Sequence, residues 1–142
     1  MGELTILACV KNNDTVMHFV TAELMRQNFC APEHPDILVA VEEIFVNIAH
    51  YSTPPAEAVD VDITVWVEDG VAAIRFEDTG RSFNPHELAA PNLDVSLMER
   101  KIGGLGWHFV KNLMDRLEYE YTDGKNIVTI FKNPPSEGVA QQ

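Results

Sequence analysis

The chain has 142 residues, 46% apolar and 23% charged, enough for one domain with its own core and an ordinary balance for a globular fold. Ten Lys and Arg stand against 22 Asp and Glu, a formal charge of −12, and the basic residues are scattered, which counts against nucleic acid as a partner. No apolar run approaches the ~20 residues of a membrane span and no basic-then-oily signal opens the chain, so the expectation is a cytoplasmic protein without membrane contact.

Residues 3–10 read as a strand. Cys9, and Cys30 further on, sit in no paired spacing and lie in apolar patterns, which predicts buried, reduced thiols. Asn13 or Asp14 is expected to cap a helix through about Phe29, with Val16, Phe19, Val20 and Leu24 on its apolar side. Pro32 and Pro35 break the chain, and Pro35 suits the first turn of a second helix running to about Ser52. A Pro-rich loop follows, and the period then changes. Residues 60–68 alternate, with Val61, Ile63, Val65 and Val67 on one face, and Asp69-Gly70 is a hairpin signal returning into residues 71–77.

Residues 84–102, with Pro85 and Pro91, form the longest stretch without a period, and such a loop in a small domain usually carries function. A third helix is expected from near Leu105, with Phe109, Val110, Leu113 and Met114 on one side. Two strands, 116–121 and 126–132, join at "TDGK". The expected organisation is one domain over residues 1–133 and a flexible tail over 134–142. About three helices and five strands, mostly in hairpins, predict an α+β, two-layer α/β sandwich. Its mixed, mostly antiparallel sheet is covered on one face by helices; the strand–helix alternation of a doubly wound nucleotide fold is missing.

The second helix carries the first chemical signal. At ~100° per residue, Asp36, Glu43, Asn47 and His50 fall in one stripe about 60° wide, and apart from Glu42 nearly every other direction is apolar. The stripe reads as a solvent face or as a site. It holds no Lys or Arg, whereas exposed helix faces usually mix charges. A carboxylate and an amide one turn apart can supply a general base beside a hard-cation ligand. Asp36 also suits the first helical turn as an acid.

Two further segments carry the same kind of signal. Asp78 is in phase with Ile74 and Phe76, and a carboxylate on the apolar side of a strand is costly unless hydrogen-bonded. Followed by Thr79 and Gly80, it could accept from an exocyclic amine or simply start a turn. In "KIGGLGWHFVKN", Gly103, Gly104 and Gly106 precede a helix whose first free N–H groups could meet phosphate, although the spacing matches neither the Walker nor the dinucleotide pattern.

The ordered set Glu-x-x-x-Asn, Asp-x-Gly-x-x-Phe and Gly-Gly-x-Gly resembles the ATP-binding domain shared by gyrase, the ninety-kilodalton heat-shock chaperone, histidine kinases and mismatch-repair ATPases. The likeness covers essentially the whole chain. Within that superfamily the chain is most similar to the anti-sigma factor serine/threonine kinases of the stage II sporulation and general stress type. The resemblance implies a histidine-kinase-like ATPase fold and ATP and Mg²⁺ as cofactors. It implies Glu43 as base, Asn47 as Mg²⁺ ligand, Asp78 on the adenine amino group, Gly80 beneath the base and Phe83 as pocket wall. Gly103, Gly104, Leu105 and Gly106 would cradle phosphates beneath a lid over about 84–102. Apart from the resemblance, Arg100 and Lys101, just ahead of the glycines, read as added phosphate contacts or as plain exposed basic residues, and His50 as a rim or core histidine.

It further implies an anti-anti-sigma-type antagonist protein as substrate, a sigma factor as a second partner, and a homodimer. The chain departs from the family in three places. Tyr51 stands where relatives often carry a basic residue or histidine. The last hairpin reads "DGKNIVT" rather than glycine-threonine, so Thr129 is not assigned a role. The lid is short and interrupted by prolines. The rival expectations are a nucleotide-gated binding module without phosphotransfer, the catalytic part of a split histidine kinase, and a plain interaction domain.

Overall fold

Two Asp-Gly pairs set the hairpins. Asp69 and Gly70 have φ of 53° and 80°, and Asp123 and Gly124 have φ of 52° and 76°. Those left-handed pairs match the twist of the strands they join. In the computed structural model, which describes residues 1–52, 59–80 and 110–135, they link β2 (Asp60–Glu68) to β3 (Val71–Asp78) and β4 (Arg116–Thr122) to β5 (Lys125–Lys132). With β1 (Gly2–Leu7) they form a five-stranded sheet of order β1-β2-β3-β5-β4. Every described pairing is antiparallel, so the expected mixed sheet narrows to an antiparallel one here. Because β5 rather than β4 lies beside β3, Asp78 at the end of β3 faces Asn126 at the start of β5 as its register partner.

β1 ends earlier than its apolar run. A 3₁₀ turn at Val10–Asn12 follows, and the Asn12 side chain donates to the Leu7 carbonyl at 2.9 Å, giving that group a partner outside the ladder. α1 (Asn13–Arg26) therefore has Asn12 at its cap position, not Asn13 or Asp14, and no side chain caps it. It stops short of Phe29 because Asn28 turns left-handed, φ 63°, while the Phe29 N–H returns to the Leu24 carbonyl at 2.8 Å. α2 (Pro35–Asn47) begins with Pro35 in its first turn, and the His34 ring Nδ1 accepts from the Asp36 N–H at 3.1 Å. The chain stays helical to Ser52, but Ile48–Ser52 is a π-helical turn.

One core joins the layers. Val16, Val20 and Leu24 of α1 and Ile37, Val41, Ile44 and Phe45 of α2 pack with Ile63, Val65, Ile74, Phe76 and Ile130 of the sheet. Phe45 and Phe76 are the largest fully buried side chains among the described residues. Of the third helix, residues 110–113 are described and helical, and Val110 joins the core. Val39 on α2 is 45% exposed. One expectation fails on exposure. Cys30 is exposed and Cys9 half-buried; both are free thiols, and the turn after α1 carries Cys30 outward. Among the described residues no helix is long and apolar enough to cross a membrane.

Candidate functional site

α2 carries a polar stripe that is not its solvent face. Glu42 and Val39 point outward, whereas Asn47 is 7% exposed and Glu43 half-buried. Asp36, at the far end of the stripe, is occupied structurally: its Oδ2 accepts from Lys132 Nζ at 3.0 Å, and the same ammonium donates to the Leu113 carbonyl at 2.7 Å. His50 lies in the π turn and is exposed.

Glu43 and Asn47 are joined directly, since Asn47 Nδ2 donates to the Glu43 carbonyl at 2.6 Å. That bond uses the amide's donor end inside the helix and leaves Asn47 Oδ1 buried, with no hydrogen-bond partner among the described residues. A buried acceptor without a donor is unfavourable by about 1–3 kcal/mol, and a cation is one group that relieves it. Mg²⁺ suits this donor set, because it takes hard oxygen ligands and keeps several waters rather than demanding an all-protein cage. Among the described residues no three His, Cys, Asp or Glu side chains gather as a metal site. The Glu43 carboxyl is pushed above the usual carboxylate range, first by burial and then by the neighbouring negative charge of Glu42.

The second pair sits where β3 ends. Asp78 is 3% exposed, on the core side of the strand beyond Ile74 and Phe76. Its Oδ1 accepts from the Gly80 N–H at 2.8 Å, a turn that binds the carboxylate to its own backbone. The same oxygen accepts from Asn126 Nδ2 at 3.3 Å, and that amide also reaches the Gly80 carbonyl at 3.3 Å. Tyr119 of β4 donates its hydroxyl to Asn126 Oδ1 at 2.5 Å. Sequence reasoning missed Asn126 and Tyr119. The signal was available for Asn126: it is in phase with Val128 and Ile130, a polar residue on the apolar side of β5 just as Asp78 is on β3. Thr129 lies on the opposite face, register partner of Arg75, and lines a cavity of about 400 Å³ there.

Glu43 and Asn47 on α2, and Asp78 with Gly80 after β3, thus hang from the same core, each pair internally bonded. Phe83, Gly103, Gly104, Leu105, Gly106, Arg100 and Lys101, with the segment expected as a lid, lie outside the described residues.

Comparison with known proteins reports the same architecture. The family described as "Histidine kinase-like ATPase domain" matches residues 8–132. The chain is 21% identical over 135 residues to the serine/threonine-protein kinase BtrW of Bordetella bronchiseptica, covering 95% of this chain and 94% of that protein. It is 27% identical over 141 residues to an anti-sigma F factor of Pasteuria penetrans, covering 97% and 94%. With the serine-protein kinase RsbW of Listeria monocytogenes the identity is 23% over 107 residues, covering 72% and 68%.

Proposed function

The chain belongs to the histidine kinase-like ATPase family, and from that premise we propose that it is an ATP-dependent protein serine/threonine kinase. Its substrate is a serine on an antagonist protein of the anti-anti-sigma type, and through that protein it regulates a sigma factor. The observation that carries this reading is the α2 pair: a half-buried carboxylate lifted by burial, one turn from a buried amide oxygen with no hydrogen-bond partner among the described residues. Its likeness to a serine-protein kinase and to an anti-sigma F factor supports it.

Phosphoryl transfer needs positioning and charge neutralisation more than covalent participation by the protein. Glu43 accepts the proton of the serine hydroxyl as its oxygen bonds to the γ-phosphorus and the bond to the β–γ bridging oxygen breaks, leaving ADP. A carboxylate with a raised affinity for protons does this better than a fully solvated one. Asn47 offers its Oδ1 to Mg²⁺, which when bound neutralises and orients the phosphates. Asp78 accepts from the adenine amino group and Gly80 lets the backbone pass beneath the base. In the same reading Phe83 would wall the pocket, Gly103, Gly104, Leu105 and Gly106 would hold the phosphates, and His50, Arg100 and Lys101 would serve as rim contacts.

The test is Glu43→Gln, assayed with labelled ATP and candidate antagonist proteins. The variant is expected to bind ATP–Mg²⁺ as the parent does and to lose phosphoserine formation by about 10²–10⁴-fold, the range of a general base. Unchanged transfer removes Glu43 from the mechanism. ATP occupancy with no labelled serine in the parent protein assigns the chain to nucleotide-gated binding instead, and label on a histidine to a split histidine kinase.

A further inference from the structure

We propose that Tyr119 and Asn126 act as a relay that orients the Asp78 carboxylate and thereby sets the preference for adenine over guanine; this rests on the reading of Asp78 as the base-recognising group. Asn126 is 2% exposed, and both ends of its amide are engaged. Its Nδ2 faces two acceptors, Asp78 Oδ1 and the Gly80 carbonyl, each at 3.3 Å. A flipped amide would set its own oxygen against both, so the donor end must face β3. The Tyr119 hydroxyl then has one role toward that amide, donation to Oδ1, and it makes that bond at 2.5 Å.

The consequence falls on Asp78. Its Oδ1 receives donors from two directions, the Gly80 N–H from the turn that follows β3 and the Asn126 amide from the adjacent strand. A carboxylate on a short side chain otherwise rotates freely about its last bond. Two divergent donors on one oxygen fix that rotation and hold the group as an acceptor in a set direction. Adenine presents an amino donor at its 6-position, whereas guanine presents a carbonyl oxygen there. An acceptor that cannot swing aside leaves the guanine oxygen facing a carboxylate, an unpaired clash that disfavours the wrong base. One able to rotate loses that discrimination. Tyr119 and Asn126 are positioning residues, acting through Asp78.

The experiment compares Tyr119→Phe, Asn126→Ala and Asn126→Thr with the parent. ATP, GTP and tripolyphosphate are titrated calorimetrically with Mg²⁺, and thermal unfolding is followed without nucleotide. Tyr119→Phe keeps the ring and removes only the hydroxyl. It is expected to weaken ATP about fivefold, the effect of one hydrogen bond, to leave tripolyphosphate unchanged, and to narrow the ATP-to-GTP ratio. Asn126→Ala narrows it further, and Asn126→Thr, which restores one donor, recovers part of the loss. Variants that lower Tm while keeping the parent's ATP-to-GTP ratio, or that weaken tripolyphosphate as much as ATP, overturn the relay. Should Asn126→Ala fail to fold, Tyr119→Phe decides alone. A parent protein that binds neither nucleotide overturns the ATP reading itself, an outcome distinct from a parent that discriminates while its variants do so equally well.

Discussion

Glu43 is held where its charge is disfavoured, and that has a consequence apart from catalysis. A carboxyl whose folded-state pKa is raised adds stability below the unfolded value near 4.3, and that contribution is lost as pH rises through the higher folded value. At neutral pH the ionised, desolvated group therefore costs stability. Glu43→Gln is expected to raise Tm at pH 7, with the gain shrinking as pH falls through the raised folded value and gone below the unfolded one; melts across that range measure it. A gain in stability that accompanies lost transfer is the mark of a functional strain rather than a structural contact. Acidification is likewise expected to slow transfer in the parent protein, with the fall centred above the ordinary carboxylate range, since the base must be unprotonated. Asn47→Ala removes both the buried Oδ1 and the bond to the Glu43 carbonyl. It is expected to weaken ATP about tenfold or more when Mg²⁺ is present and little when it is chelated, which calorimetry in both conditions checks.

At the scale of elements, Lys132 ties three parts of the fold together. From the end of β5 its ammonium bonds Asp36 in the first turn of α2 and the Leu113 carbonyl at the end of the helical segment 110–113. The Lys132 side chain is only 14% exposed, and its removal leaves a carbonyl and a carboxylate without their donor. Lys132→Met keeps the aliphatic stem and is expected to destabilise by about 1–3 kcal/mol, read from urea midpoints at constant m-value. The same contact explains why the stripe on α2 is heterogeneous. Asp36 shares its helical direction with Glu43 and Asn47, but its partner is structural.

For the whole molecule, charge is the governing property. A protein of formal charge −12 repels a polyphosphate at long range, while any favourable contacts act within the site. Screening shortens the repulsion, since the Debye length falls from about 30 Å at 0.01 M to about 8 Å at 0.15 M ionic strength. The association rate of ATP–Mg²⁺ is therefore expected to rise or stay level over that range, opposite to an electrostatically steered site, and stopped-flow mixing at fixed Mg²⁺ tests it. The core, in contrast, is indifferent to salt. Phe76→Ala at a fully buried position is expected to cost about 3–5 kcal/mol at either ionic strength.

Hairpins were legible in the sequence, because Asp-Gly between alternating apolar residues leaves the backbone few choices: β2, β3, β4 and β5 lie within a residue of their expected limits. So were the existence of α1 and α2 and the polarity conflict on the core side of β3. Element ends were not. β1 and α1 stop early through bonds made by Asn12 and by the left-handed Asn28, which hydropathy does not register. Nor could periodicity tell that Asp36 serves Lys132 from 96 residues away, or that Cys30 faces outward. Local sequence by itself determined the elements and marked which polar residues were out of place among apolar neighbours, since propensity, turn chemistry and side-chain period act within a few residues. Only the tertiary structure decided their partners, because the strand order that sets Asn126 beside Asp78, and the helix packing that leaves Asn47 Oδ1 buried and unmatched among the described residues, arise from contacts between distant segments.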